Sequence, residues 1–199
     1  MSETSNVSRE TEETLRRYAA LLLKWSPRIN LVSESSERDI WNRHIEDSAH
    51  IARYADGAGS WVDLGSGGGL PGVVVAILNP AVRTVLVESD KRKCEFLRAV
   101  RRELDLRYDV LAGRIETIPP CRADVFSARA LAPLDRLLRL VERHGHADTT
   151  YLFPKGSSWE AEHVAASREW SYDLTVLEGT GSGGKLLKLS GLARKNDVS

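Results

Sequence analysis

The stretch Trp61-Val-Asp-Leu-Gly-Ser-Gly-Gly-Gly-Leu-Pro-Gly72 constrains this chain more than any other. A short apolar run stops at a carboxylate, passes through glycines and enters a new helical pattern. Residues 61–64 suit a buried strand, and the glycines at 65, 67, 68 and 69 tolerate positive φ and let a ligand approach the backbone without meeting a Cβ. Pro71 fits the first turn of a helix over 71–78, where its fixed φ helps and its missing N–H is not needed. A strand, a tight glycine turn and a helix N-terminus are how α/β sheets bind nucleotide-like ligands at a strand's carboxyl end.

Two ligands compete for such a loop. Gly67-x-Gly69-x-x-Gly72 satisfies the dinucleotide fingerprint, and Glu88 lies roughly 20 residues beyond it. The surroundings favour S-adenosylmethionine, whose ammonium and sulfonium suit the negative charge of Asp63, a charge that works against a pyrophosphate. Pro71 also removes an N–H that a phosphate-binding helix terminus would offer. Glu88 closes the apolar run Arg83-Thr-Val-Leu-Val-Glu88, where a carboxylate can accept the ribose hydroxyls of either ligand. The plainer alternative is an ordinary strand-to-helix turn with solvated acids.

At 199 residues the chain suits a single domain. Twenty-eight basic residues balance 28 acidic ones, so no global field draws it to nucleic acid or membrane, and a polyanion must meet a local basic patch. Cys94 and Cys121 read as free thiols of a reducing compartment. No apolar run approaches a membrane span and the polar N-terminus resembles no signal peptide, so a cytoplasmic protein is expected.

Residues 8–56 read as an N-terminal helical cap and 60–191 as the core. Ser8 is placed to cap a helix carrying Leu15, Tyr18, Ala19, Leu22 and Trp25 on one face, with Pro27 ending it. Ser35 or Ser36 then starts a second helix with Ile40, Trp41, Ile45, Ala49 and Ile51 near one face and His44 beside Asp47. From residue 60 onward β-branched runs alternate with helical stretches: strands at 61–64, 83–88, 107–111, 124–128, 149–153, 171–177 and 185–190, helices near 71–78, 90–104, 133–144 and 158–168. The glycine-rich link 178–184 has no room for a crossover helix. The last two strands therefore form a hairpin, which makes a seven-stranded, mostly parallel sheet ending antiparallel, the Rossmann-like methyltransferase arrangement.

Other chemistry gathers at the same edge. Gly113-Arg-Ile-Glu-Thr117 follows the third strand, where backbone groups of Ile115 and Glu116 can meet an adenine. Asp124-Val-Phe-Ser-Ala-Arg129 delivers Ser127 and Arg129 to the carboxyl edge, and Lys155 holds the equivalent place one strand on. Two cations over one mouth suggest a phosphate-bearing substrate, with solvated loop charges as the alternative. His144-x-His146 has no convergent Cys or acidic pair, so no metal is expected. The basic helix carrying Lys91, Arg92, Lys93, Arg98, Arg101 and Arg102 reads as a solvated face that RNA could also use.

These residues together resemble the RsmG (GidB) family of bacterial methyltransferases, which act on guanine N7 of 16S ribosomal RNA. The likeness runs from about residue 15 to 190. It is carried by Trp25-x-x-x-Ile-Asn-Leu31, Arg43-His-Ile-Glu-Asp-Ser48, Asp63 through Gly72, Arg114-Ile-Glu116, Ser127-Ala-Arg-Ala130 and Lys155-Gly156. The resemblance implies S-adenosylmethionine contacts at Gly65, Leu70, Ile115, Glu116 and Arg129. The residue reading adds Asp63, Gly67, Gly69 and Glu88 to the cofactor set. Asn30, His44, Arg129 and Lys155 are the candidates for positioning substrate, and no acid/base residue is nominated. The implied target is a guanine of the decoding-centre loop, the 527-type position, in 16S rRNA or the small ribosomal subunit, met by a monomer with no membrane and no metal. A methyltransferase acting on a small molecule or protein, and a non-enzymatic nucleotide-binding module, are the competing readings.

Overall fold

In the computed structural model, which describes residues 7–33, 38–179 and 184–195, the first helix, α1, spans Arg9–Ile29. Ser8 caps it from an extended conformation, its Oγ accepting from the Thr11 amide at 3.1 Å. Leu15, Tyr18 and Leu22 recur at helical spacing and are fully buried. Truncating one such Leu costs roughly 2–5 kcal/mol. Pro27 does not end α1. It removes one hydrogen-bond donor near the C-terminus, while Ile29 still packs against the core and the Asn30 amide still reaches the Ser26 carbonyl at 2.8 Å. Asn30 itself stops the helix at φ 50°, a left-handed conformation that Asn tolerates better than most residues.

The expected second helix is more broken than its periodicity suggests, and its expected start at Ser35 or Ser36 lies outside the described residues. Trp41–Glu46 forms a π-helical turn, followed by α2, Asp47–Ala52, and a 3₁₀ turn, Arg53–Ala55. The wide turn brings side chains five residues apart together, and Trp41 Nε1 donates to Glu46 Oε1 at 2.9 Å.

The sheet follows as β1 (Ser60–Leu64), β2 (Arg83–Glu88), β3 (Asp109–Ala112), β4 (Val125–Ser127), β5 (Thr150–Lys155), β6 (Trp170–Glu178) and β7 (Lys185–Arg194), in the order β3-β2-β1-β4-β5-β7-β6. Five neighbouring strands are parallel, and β7 runs antiparallel between β5 and β6. The helices are α3 (Gly72–Leu78), α4 (Lys91–Glu103), α5 (Leu134–Val141) and α6 (Trp159–Ala166). The terminal strands exceed their expected lengths because their pairing extends beyond the apolar run, and β4 is shorter because its neighbours pair with it over only three residues.

Alternation along each strand divides the interior. Val62, Leu64 and Phe126 pack with Leu137, Leu138 and Val141 of α5, while Trp61, Val75, Val125 and Leu152 join Ile51 of α2. On the cap side, Tyr18 and Leu22 meet Val73 of α3 and Phe96 and Leu97 of α4. Paired positions Asp63 and Ser127 therefore face the cap together.

Candidate active site

The β1–α3 turn is fixed from three directions. Tyr18 Oη donates to the Gly68 carbonyl at 2.6 Å from above. Asp63, fully buried beneath the turn, accepts from Ser127 Oγ at 2.7 Å and from the Gly72 amide at 3.4 Å, and Ser127 Oγ accepts from Trp61 Nε1 at 2.9 Å. From the side, Glu88 Oε2 accepts from the Gly67 amide at 2.8 Å. Burial pushes the Asp63 carboxyl up to about 6, although its hydrogen bonds from Ser127 and Gly72 and the Arg129 charge pull the other way.

Two clefts open at the carboxyl edge of the sheet. The smaller, about 360 Å³, is lined by Gly65, Gly67, Glu88, Ile115, Glu116 and Arg129, among others. The larger, about 770 Å³, lies between cap and sheet and includes Arg43, His44, Asp47, Arg129, Lys155 and Glu162. The segment 129–132 lines both, so it is the wall between them. Leu131 rests on Gly65, where an added Cβ would come within 2.6 Å of its Cδ1 and where φ is +63°. At Gly67 an added Cβ would meet nothing nearer than a backbone oxygen at 3.8 Å, so space is open on that side of the cleft and it is the φ of +56° that favours glycine.

Glu88 lines the smaller cleft with its carboxylate already engaged: Oε1 accepts from the amides of Ser89 at 2.7 Å and Asp90 at 2.8 Å, beside the Gly67 bond to Oε2. Three donors leave about one of four lone-pair directions for a ligand. The carbonyls of Ile115 and Glu116 are taken by His144 Nε2 at 2.9 Å and Arg143 at 2.6 Å. His144 thus holds the β3–β4 loop, and His146 sits apart from it, 3.6 Å from Asp124. Among the described residues no cluster of metal-ligating side chains forms.

Arg129 and His44 meet in the wall, guanidinium nitrogen to Nδ1, at 2.8 Å. Burial, with the charges of Arg129 and Arg43, lowers the His44 imidazole to about 4, so it is neutral at physiological pH and Nδ1 accepts from Arg129. Lys155 is not a free cation over the mouth. Its ammonium pairs with Glu162 at 2.9 Å and donates to the Ala132 carbonyl at 2.7 Å. Asn30 caps α1 beside the larger cleft without lining it, and Gly69 and Leu70 turn into the cap-side core, Gly69 against Val73. Tyr18, Asp47 and Glu162 carry geometry that sequence reasoning did not assign to the site. Asp47 was signalled by its place one turn after His44, whereas Tyr18 looked like any core position and Glu162 like a solvated helix acid.

Residues 11–185 match the family described as GidB: rRNA small subunit methyltransferase G. The chain belongs to that family. A Ruegeria pomeroyi protein named ribosomal RNA small subunit methyltransferase G is 47% identical over 97% of each chain, and a Paracoccus denitrificans protein of the same name is 49% identical over 94% of this chain and 98% of its own. Family members and this chain thus share the enzyme class, methyltransferase. Solved structures extend the likeness at the level of fold. The mitomycin 7-O-methyltransferase MmcR superposes with a TM-score of 0.64 at 18% identity, covering 89% of this chain and 68% of its own. A Bacillus cereus O-methyltransferase, solved in complex with SAH, superposes at 0.58 and 15% identity, covering 94% and 93%. The Rossmann-like methyltransferase fold with its terminal antiparallel hairpin is therefore established from both sides.

Proposed function

We propose that the protein transfers a methyl group from S-adenosylmethionine to N7 of a guanine in the decoding-centre loop of 16S rRNA, at the 527-type position. The observation that carries this reading is the pair of clefts sharing the wall 129–132: one floored by the glycine turn, the other wide enough for an extruded base. The chain's own residues fit the cofactor. Gly67 leaves the floor clear, Glu88 keeps an acceptor direction at the strand end, and Ile115 offers an apolar surface. When bound, the cofactor supplies an electrophilic methyl on a sulfonium.

Guanine N7 presents a lone pair with no proton to remove, so no general base is required of the protein. Alignment does the work, and well-oriented reactants reach effective molarities on the order of 10⁵–10⁸ M. Arg129, held by neutral His44, orients substrate from the wall. Lys93, Arg114 and Arg136 line the smaller cleft beside the acids Glu88 and Glu116, and they offer positive charge to RNA phosphates that approach the cofactor's mouth.

The test is incubation of small ribosomal subunits, from a strain lacking the enzyme, with labelled S-adenosylmethionine. Label in N7-methylguanosine, with borohydride–aniline cleavage at the target, is the expected result. Label in another nucleoside, or in a ribosomal protein, transfers the assignment to that acceptor.

A further inference from the structure

The wall between the clefts packs through Leu131 and Ala132 and is held by polar contacts at both ends. Ala130 holds φ at +52°, a conformation a residue with a Cβ adopts only when its surroundings impose it. On one side Arg129 is tied to His44 of the π-helical turn. On the other, the segment reaches α5 through Ala132, Pro133 and Leu134, and both polar backbone groups that flank Pro133 are met by one partly buried pair. Lys155 Nζ donates to the Ala132 carbonyl at 2.7 Å, and Glu162 Oε2 accepts from the Leu134 amide at 2.9 Å. The pair closes on itself at 2.9 Å with side chains 8% and 21% exposed, and Ser158 Oγ fixes the other Glu162 oxygen at 2.9 Å.

From this closed arrangement we infer that Lys155 and Glu162 are positioning residues, which set the wall by gripping its backbone on either side of Pro133. The inference rests on the methyl-transfer reading above for its consequence, not for its geometry. A lysine whose charge is matched by an adjacent, partly buried carboxylate and whose hydrogen bond goes to a main-chain carbonyl has little left for a phosphate. A carboxylate that both neutralises it and accepts a main-chain amide is a clamp, not a solvated helix acid.

The two roles predict opposite signs for Glu162. Were Lys155 a phosphate-binding cation, Glu162→Gln would unmask it and tighten binding of small subunits. A clamp predicts that Glu162→Gln and Lys155→Met both lower the single-turnover methylation rate, by about tenfold or more, the loss that follows when a positioned group drifts. The charge swap Lys155→Glu with Glu162→Lys keeps the ion pair but reverses donor and acceptor, so neither Ala132 nor Leu134 is satisfied. It should fold, by circular dichroism and thermal unfolding, and still transfer slowly. Hydrogen exchange of the Leu134 amide provides a reading independent of substrate: it should quicken in Glu162→Gln. Wild-type rates in Glu162→Gln, or in the swap, overturn the inference, as does unchanged exchange at Leu134. Fast exchange with no methylation of small subunits even by wild type would instead sink the substrate assignment and leave the clamp standing.

Discussion

His44 and Arg129 meet in a contact that works only while the histidine is uncharged. Its Nδ1 lies 2.8 Å from the guanidinium, and a protonated imidazole would turn an acceptor toward a cation into a second cation. With its proton affinity lowered to about 4, the native imidazole stays neutral while an unfolded one takes a proton near 6.5. Stability contributed by this site is therefore present above about 6.5 and is lost as pH falls toward 4.

Asp63 has the opposite slope in an overlapping window. Its native carboxyl is raised to about 6 from 3.8, so the native state binds more protons than the unfolded one between these values, and stability falls as pH rises through them. A shift of this size corresponds to about 3 kcal/mol. The two effects oppose each other in the wild type and separate in variants. Asp63→Asn should remove the loss of thermal stability between pH 4 and 6, and His44→Gln should weaken the gain. Identical Tm-versus-pH curves for wild type and Asp63→Asn would disprove the raised carboxyl.

Arg129→Lys keeps a positive charge but loses the planar fork that reaches His44 from the wall. Transfer should fall by roughly a hundredfold, as expected when a reacting partner is misplaced by about an ångström, while cofactor affinity drops only modestly. Single-turnover rates at saturating cofactor, beside calorimetry, check this, and wild-type transfer by Arg129→Ala would remove Arg129 from the reaction.

For Glu88→Gln, a carboxylate that did no more than accept ribose hydroxyls would give weaker cofactor binding and an unchanged fold. The three backbone donors on Glu88 alter the second half of that expectation. An amide has a single accepting oxygen. Whichever way it turns, the Gly67 amide or the Ser89–Asp90 pair faces an N–H₂, at a cost of roughly 1–3 kcal/mol for the unsatisfied group. Affinity and Tm should fall together. A drop in affinity with Tm unchanged would show that the amides find other partners.

The strands were legible because both faces of a parallel sheet are buried and β-branched residues accumulate there, and the glycine turn because few other segments pack four glycines between a strand and a helix. What escaped has a common cause. Pro27 sits in a helix because the packing of Ile29 outweighs one lost donor. The π-helical turn holds His44 and Glu46 at a spacing that helical periodicity does not anticipate. Lys155 and Glu162 meet only once the turn after β5 brings α6 back beside the strand's end, and nothing in the residue types marks a charge as already spoken for.

Tyr18→Phe removes the hydroxyl that meets the Gly68 carbonyl at 2.6 Å in a fully buried place. Its cost should be roughly 1–3 kcal/mol, with cofactor affinity reduced more than the affinity for small subunits, since the glycine turn is what loosens. Equal cofactor affinity in both proteins, by calorimetry, would show that the turn holds its shape without this bond.

The same bond bears on how freely this enzyme could be rebuilt from parts. A helix that donates a buried hydrogen bond into the glycine turn, and covers Phe96 and Leu97 as it does so, is not an appendage for recognising a target. Shortening the chain to its sheet and flanking helices would strip the turn of a partner and bare an apolar face. Exchanging the cap for one from another methyltransferase would have to reproduce a single hydroxyl at the same spot. Engineering a new target specificity here therefore has to proceed by editing the cap's residues in place, not by transplanting the cap as a module.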